Sequence, residues 1–448
     1  MSTQFSDGCS PDVGVPTGRT DPVFLVGRAI FLLGLAAVSA LIFRIGPLTL
    51  GDLLLIGSAG LLVCSPVEYW RPRWPGNNVM TWLCLLIILG GCISSLFSPE
   101  PMQSFMVLVR IIYLVMILPW QASKYLPTGR WVRTGLTWMA AGGAACGVAT
   151  LMQLVLGPTI IPGSETTNAD RFPGLASHVS DTGGITALGA VAGIALLGRH
   201  KARGSDVVAA LIATLSLIGV VLSGSVSGMM ASVVGIGALL VTRTLSRAKT
   251  VTVIVLSGVG AILASIMITL MTTNGLTPIA RLLQVLGVTK KYAGTDTSQS
   301  RWETIVLGWQ GFGRHPWTGV GLEPTAAPVL YDLPVHNFYV SCLYQGGLIF
   351  GGALNGVLVV TFGTLLYRHK LNPTIGACIG LLVSVLLFAA TAPSFYNRYL
   401  WVPLALSACA AWTVTRPTAE QDSHAVADGQ TGQGADESID RQAGVVGS

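Results

Sequence analysis

Runs of about 20 apolar residues recur along most of this chain, the length a helix rising about 1.5 Å per residue needs to cross a hydrocarbon core about 30 Å thick. Few folds tolerate that pattern, because in hydrocarbon every backbone N–H and C=O must be bonded within the protein. The expected spans are 24–43, 48–64, 79–97, 104–120, 134–156, 180–198, 206–222, 226–242, 251–271, 336–366, 374–391 and 396–415, about twelve in all. The fold class is therefore all-α, a polytopic transmembrane helix bundle with 24–415 as its membrane domain. With 51% hydrophobic and 10% charged residues in 448, the chain does not read as a string of soluble domains.

The charges set an orientation. Arg71 and Arg73, then the basic residues of 124–133, 199–203, 243–249 and 368–370, fall on alternate connections, which the positive-inside rule assigns to the cytoplasm. An even span count then puts both termini inside. Residues 1–23 form a polar leader without a compact basic region or small-residue cleavage site, so the first span is expected to be retained. The 416–448 tail is rich in Gln, Asp, Gly and Ser without apolar periodicity, which predicts a disordered cytoplasmic end. Clusters of this kind are topology signals, and the net charge of +6 implies no nucleic-acid partner. The cysteines stand almost singly in apolar runs and imply neither a disulfide frame nor a metal site.

Several arginines break the inside rule. On this topology Arg110 lies about two turns below the outer surface, Arg171 is in the outer loop 157–179, Arg301 and Arg314 are in the long outer loop 272–335, and Arg398 opens the last span. Intramembrane and outer arginines of this kind mark a ligand or pathway, or else snorkel or pair with Asp52 and Asp181, which are also near the outer face. In the long loop, Trp302, Ile305, Val306, Trp309 and Phe312 are spaced for an amphipathic helix lying on the membrane or on the bundle. A Pro316 to Gly321 turn follows, and then His336 and Asn337 at a helix start. That histidine is a candidate base, or alternatively a cap.

The stretch SRWETIVLGWQGFGRHPWTGVGLE followed by HNFYVSCLYQGGLIFGG resembles the O-antigen ligase and polymerase-like family of bacterial membrane proteins. The likeness extends over about 165–365. RFPGLASH from Arg171 and LSGSVSGMM from Leu222 are similar to further family segments. Two positions depart from the pattern: Val226 stands where family members often have arginine, and Gln345 where they often have glutamate.

The resemblance implies transfer of a glycan from an undecaprenyl diphosphate carrier to a sugar hydroxyl on an acceptor glycan or lipid, at the outer face of the cytoplasmic membrane. Other polysaccharide assembly proteins would be partners, and no cofactor is implied. In that chemistry Arg171 and Arg301 would hold the diphosphate, with Arg314, Arg398 and Arg110 as further candidates, while His336 acts as base and Asn337 orients it. Direct displacement would invert the anomeric centre. Outer segments lack a DxD pair, so transfer is expected to be metal-independent. The two departures favour a polymerase of exopolysaccharide or O-antigen repeats over a ligase of finished chains. A membrane transporter and a non-catalytic glycan-binding subunit are the readings from other classes. The outer positions of Asp52 and Asp181 and the large outer loop speak against transport.

Overall fold

The computed structural model describes residues 21–70, 78–164, 171–197, 203–242, 255, 297–323, 333–391 and 397–413. The helices are α1 (Pro22–Ala37), α2 (Leu50–Cys64), α3 (Val67–Trp70), α4 (Asn78–Leu96), α5 (Pro101–Ile112), α6 (Leu118–Tyr125), α7 (Gly129–Leu156) and α8 (Val179–Leu196). They continue as α9 (Arg203–Ser223), α10 (Val226–Val241), α11 (Thr297–Arg314), α12 (Phe338–Arg368), α13 (Pro373–Ala389) and α14 (Arg398–Thr413). The only sheet among the described residues is a two-stranded hairpin, β1 (Arg44–Ile45) with β2 (Leu48–Thr49), paired Arg44 to Thr49 and Ile45 to Leu48.

Among the described residues, six helices are long and apolar enough to cross a membrane, with α5 and α6 joined as one span, and four more apolar helices are shorter. Their outer surface is itself apolar: Val26, Leu33, Trp82, Leu89, Val109, Leu211 and Val233 are all exposed. In water such a belt would aggregate; in a bilayer it is the solvated face. The chain is an integral membrane protein. The expected runs are mainly helical over the described residues, but 251–271 lies outside them except for residue 255. So do the leader to residue 20, the tail from residue 414 and much of the 272–335 loop.

The first span departs from the 24–43 expectation. Helix α1 stops at Ala37, and the Ser39 hydroxyl donates to the Ala36 carbonyl at 2.8 Å, which competes with continued helix. The chain then turns through the hairpin at Gly46 and enters α2 through a capping box, in which Thr49 and Asp52 satisfy each other's backbone N–H groups. In the α5–α6 span, residues Tyr113–Ile117 widen into a π turn just before Pro119, where proline removes one helical hydrogen bond.

Helix α8 is the central post: 89% of its apolar window is buried, against 39% for α4. Its glycines and alanines permit that. A Cβ added at Gly143 of α7 would lie 2.7 Å from the Gly189 Cα of α8, so the two backbones meet where side chains are absent. Because α8 is fixed in the middle, its N-terminal end is a rigid platform at the hairpin end of the bundle.

Helix α12 is broken at Gly347, with φ 70° and ψ −177°. A break inside a span opens backbone groups that must find partners in protein. The turn after α11 supplies them. The Pro316 carbonyl accepts from Leu348 N at 2.7 Å, Val320 N donates to the Tyr344 carbonyl at 3.2 Å, and Gly321 N donates to the Gln345 carbonyl at 3.1 Å. Ser94 Oγ also donates to the Gln345 carbonyl, at 2.8 Å. The turn ends at Glu323, which is fully buried, accepts from Ser98 Oγ and receives Gln345 Nε2 on its backbone carbonyl at 3.1 Å.

The segment 315–323 is thus an elbow that plugs the break in α12. It also clamps α11 alongside the first turns of α12, with Gly308 against Val335 and Val340 and Gly311 against Tyr344. The amphipathic helix expected in the loop is therefore present and packs on the bundle, with Thr304 and Gly308 buried and Trp302 and Trp309 exposed.

Substituting Gly347→Ala tests the elbow. A Cβ there would collide with the Trp317 carbonyl at a backbone conformation that L residues avoid. The expected loss is more than about 2 kcal/mol, read as a lower unfolding temperature in detergent and reduced membrane abundance.

Candidate functional site

The hairpin end of the bundle gathers most of the residues singled out in the sequence. Asn337 is the N-cap of α12: its Oδ1 accepts from Val340 N at 3.0 Å, and its Nδ2 donates to the Ala390 carbonyl at 3.0 Å. It is fully used in holding the helix start against the end of α13, which fixes the backbone of its neighbour His336. His336 N donates to Thr304 Oγ1 at 3.3 Å, and Thr304 Oγ1 donates back to the Arg301 carbonyl at 2.8 Å. Arg301 and Thr304 share one face of α11, three residues apart, so the same contact brings Arg301 over His336.

Their electrostatics agree with that placement. Burial lowers the His336 pKa from its ordinary value, and the Arg301 charge lowers it further; His178 adds to this, and the Pro334 carbonyl partly offsets it. His336 Nδ1 is buried and has no hydrogen-bond partner among the described residues. Burial also lowers the Arg301 pKa. No described residue accepts a hydrogen bond or forms an ion pair with its guanidinium. A half-buried cation with no counter-charge among the described residues is an unfavourable arrangement unless an anion visits it.

Arg171 reaches the same place from the segment before α8. Its Nε donates to the Ser223 carbonyl at 2.9 Å, across the turn between α9 and α10, while Phe172 N donates to the Leu222 carbonyl. Next along the chain, His178 caps α8, its Nδ1 accepting from Ser180 N at 3.2 Å. Burial lowers the pKa of His178, Asp181 raises it, and Arg171 and Arg301 lower it again, so both arginines act on this ring. Asp181 takes hydrogen bonds from Tyr399 Oη at 2.7 Å and Asn397 Nδ2 at 3.4 Å.

The remaining arginines are elsewhere or otherwise engaged. Arg398 is bolted to Asp52 by two contacts of 2.8 Å and donates to the Pro47 carbonyl at 3.2 Å. With side chains only 13% and 7% exposed, the pair ties the start of α14 to the capping box of α2. Arg314 is exposed at the far end of α11 beside Tyr344, 13 residues or about 20 Å from Arg301 along the helix axis. Arg110 is half-buried in the last turn of α5. The structure brings Arg171, Arg301 and His336 to one patch, and places Arg314 apart from it.

Sequence reasoning missed three members. His178 was read only as the end of an arginine segment. Tyr399 lay inside an apolar run, with nothing to mark it. Arg44 donates to the Leu41 carbonyl at 2.7 Å and to Ser177 Oγ at 3.0 Å, and its charge acts on Asp181. Its signal was available, since it too is an arginine at the end of a span on the side that the charge rule leaves poor in basic residues.

Residues 209–355 match the family model Wzy_C, O-antigen ligase. The match covers most of α9, α10, α11 and the first half of α12, including Arg301, His336 and Asn337. It supports placing the chain in the O-antigen ligase and polymerase-like family, with glycosyltransferase-type activity in polysaccharide biosynthesis. A search of curated proteins finds no match.

The two arginines with opposite surroundings separate structure from function. Arg398→Gln leaves Asp52 buried and unpaired, and is expected to cost about 3–5 kcal/mol of stability. Arg301→Gln removes a cation that has no partner among the described residues, and is expected to leave the unfolding temperature in detergent unchanged or higher.

Proposed function

We propose that the patch formed by Arg171, Arg301 and His336 transfers a glycan from an undecaprenyl diphosphate carrier to a sugar hydroxyl. The reaction takes place at the outer face of a bacterial cytoplasmic membrane, with both termini inside. The observation that carries this reading is Arg301, a half-buried guanidinium without a described acceptor, held over a neutral imidazole by the Thr304 contact. Arginine forks match phosphate oxygens in bidentate geometry, and partial burial strengthens such contacts.

In the reaction, the acceptor hydroxyl gives its proton to His336 Nε2 while its oxygen forms the bond to the anomeric carbon. The carbon–oxygen bond to the diphosphate breaks, and its electron pair leaves on the diphosphate oxygen. Burial and Arg301 favour the unprotonated form of His336, an effect that the Pro334 carbonyl partly offsets. Asn337 is a positioning residue, acting through the helix start it caps. Arg171 and Arg301 take up the charge that develops on the leaving group, so transfer is metal-independent, and displacement from the opposite face inverts the anomeric centre. Arg314, about 20 Å along α11 from Arg301, is too far away to share one diphosphate with it and serves at most the carrier's approach, while Arg110 stays a secondary candidate. Arg398 contributes by fixing α14, which carries Tyr399 to Asp181.

The preferred product is an extended exopolysaccharide or O-antigen repeat polymer. The test is surface glycan in a deletion strain complemented with wild type, His336→Ala or Arg301→Ala at matched membrane abundance. Loss of glycan with both variants is expected, single repeat units marking a polymerase and long unattached chains a ligase. Normal glycan from His336→Ala would refute the base assignment.

The pH profile provides a second check. Because the His336 pKa is lowered, its base form persists below the ordinary value of 6.5, so the acid limb of kcat/KM should fall below pH 6.5. In Arg301→Gln that limb should move upward, as one of the depressing charges is gone; an acid limb above 6.5 in the wild type would contradict the assignment.

A further inference from the structure

His178 faces the same patch, and the chemistry above leaves it without a task. It is the N-cap of α8, in extended backbone with φ −143° and ψ 141°. Serine, threonine, aspartate and asparagine are the usual caps. Histidine is an unusual choice, and it carries something the shorter caps do not: a second ring nitrogen several ångströms farther out. Nδ1 accepts from Ser180 N at 3.2 Å, and a nitrogen that accepts carries no proton. The neutral ring therefore has its proton on Nε2, the corner pointing away from that amide, and part of the residue stays open to solvent although burial acts on its ring.

The charged groups that act on this ring are Asp181 from its own helix, Arg171 from the preceding segment and Arg301 from α11. Burial and the two guanidiniums outweigh Asp181, and protonation at Nδ1 would also break the cap. The ring is thus held as a neutral donor of fixed tautomer.

We propose that His178 is a third ligand of the diphosphate, its Nε2–H donating a hydrogen bond to a phosphate oxygen held by Arg171 and Arg301. The proposal rests on the reading of this patch as a diphosphate site. The two histidines then play opposite parts. His336 presents a lone pair to the acceptor hydroxyl and takes a proton. His178 presents an N–H to the leaving group, stabilises the charge arriving there and transfers no proton.

Two substitutions separate this role from the cap. His178→Ser keeps a good cap but loses the reach of the ring. His178→Gln places an N–H near the position of the imidazole Nε2 but caps poorly. The measurement is binding of undecaprenyl diphosphate to the purified full-length protein in nanodiscs, alongside the unfolding temperature of each variant, with Arg301→Gln as reference.

The expected pattern is crossed. His178→Ser should unfold like wild type and bind about tenfold more weakly, the worth of a hydrogen bond to a charged group. His178→Gln should unfold earlier and keep most of the affinity. If Arg301→Gln weakens binding and His178→Ser does not, His178 is only a cap and this proposal is overturned. If wild type and Arg301→Gln bind alike, the diphosphate reading itself fails, and the role of His178 fails with it.

Discussion

An open backbone N–H or C=O inside a membrane costs several kcal/mol, and that constraint organises the hairpin end of this protein. The break at Gly347 frees the carbonyls of Tyr344 and Gln345 and the amide of Leu348, and all three are satisfied by Pro316, Val320 and Gly321. The exchange locks the elbow after α11 into α12, so α11 lies along the first turns of α12. Arg301 then stands over His336 as a consequence. The break that looks like a defect in α12 is the joint by which a loop helix becomes part of the bundle.

The charges around that joint fall into two kinds. Asp52 with Arg398 is a closed pair, buried, bidentate and embedded in a capping box, and it holds α2 and α14 together. Arg301 is open: its guanidinium has no acceptor or counter-charge among the described residues, and its charge acts on the imidazoles of His336 and His178. Closed pairs fix geometry, and open cations recruit anions. Asp181 is intermediate: hydrogen bonds from Tyr399 and Asn397 hold it, while Arg44 and His178 act on it. It keeps the patch from being uniformly positive beside a histidine that must stay neutral.

Much of this was legible in the sequence, because run length and hydropathy follow directly from bilayer thickness. The helix at α11, the glycine turn after it and the His336–Asn337 start of α12 all have local signals, namely amphipathic spacing, proline with glycines, and a capping residue. What the sequence did not carry was partnership. Arg398 and Arg301 are both outer arginines, and only the fold shows that Asp52, hundreds of residues away, occupies one of them. The same holds for Tyr399, which is one more aromatic in an apolar run until α8 brings Asp181 to it. The first span was misjudged at its end, since Ile42 and Phe43 extend the apolar run although their backbone has already left the helix.

The account stands or falls on where a lipid diphosphate sits. The most direct measurement is a cryo-EM structure of the protein in nanodiscs saturated with undecaprenyl diphosphate. The account predicts diphosphate density between the guanidiniums of Arg171 and Arg301, with the His336 ring beside it and the Arg398–Asp52 pair intact. Density at Arg110 or Arg314 instead, with Arg301 still unoccupied, would contradict it.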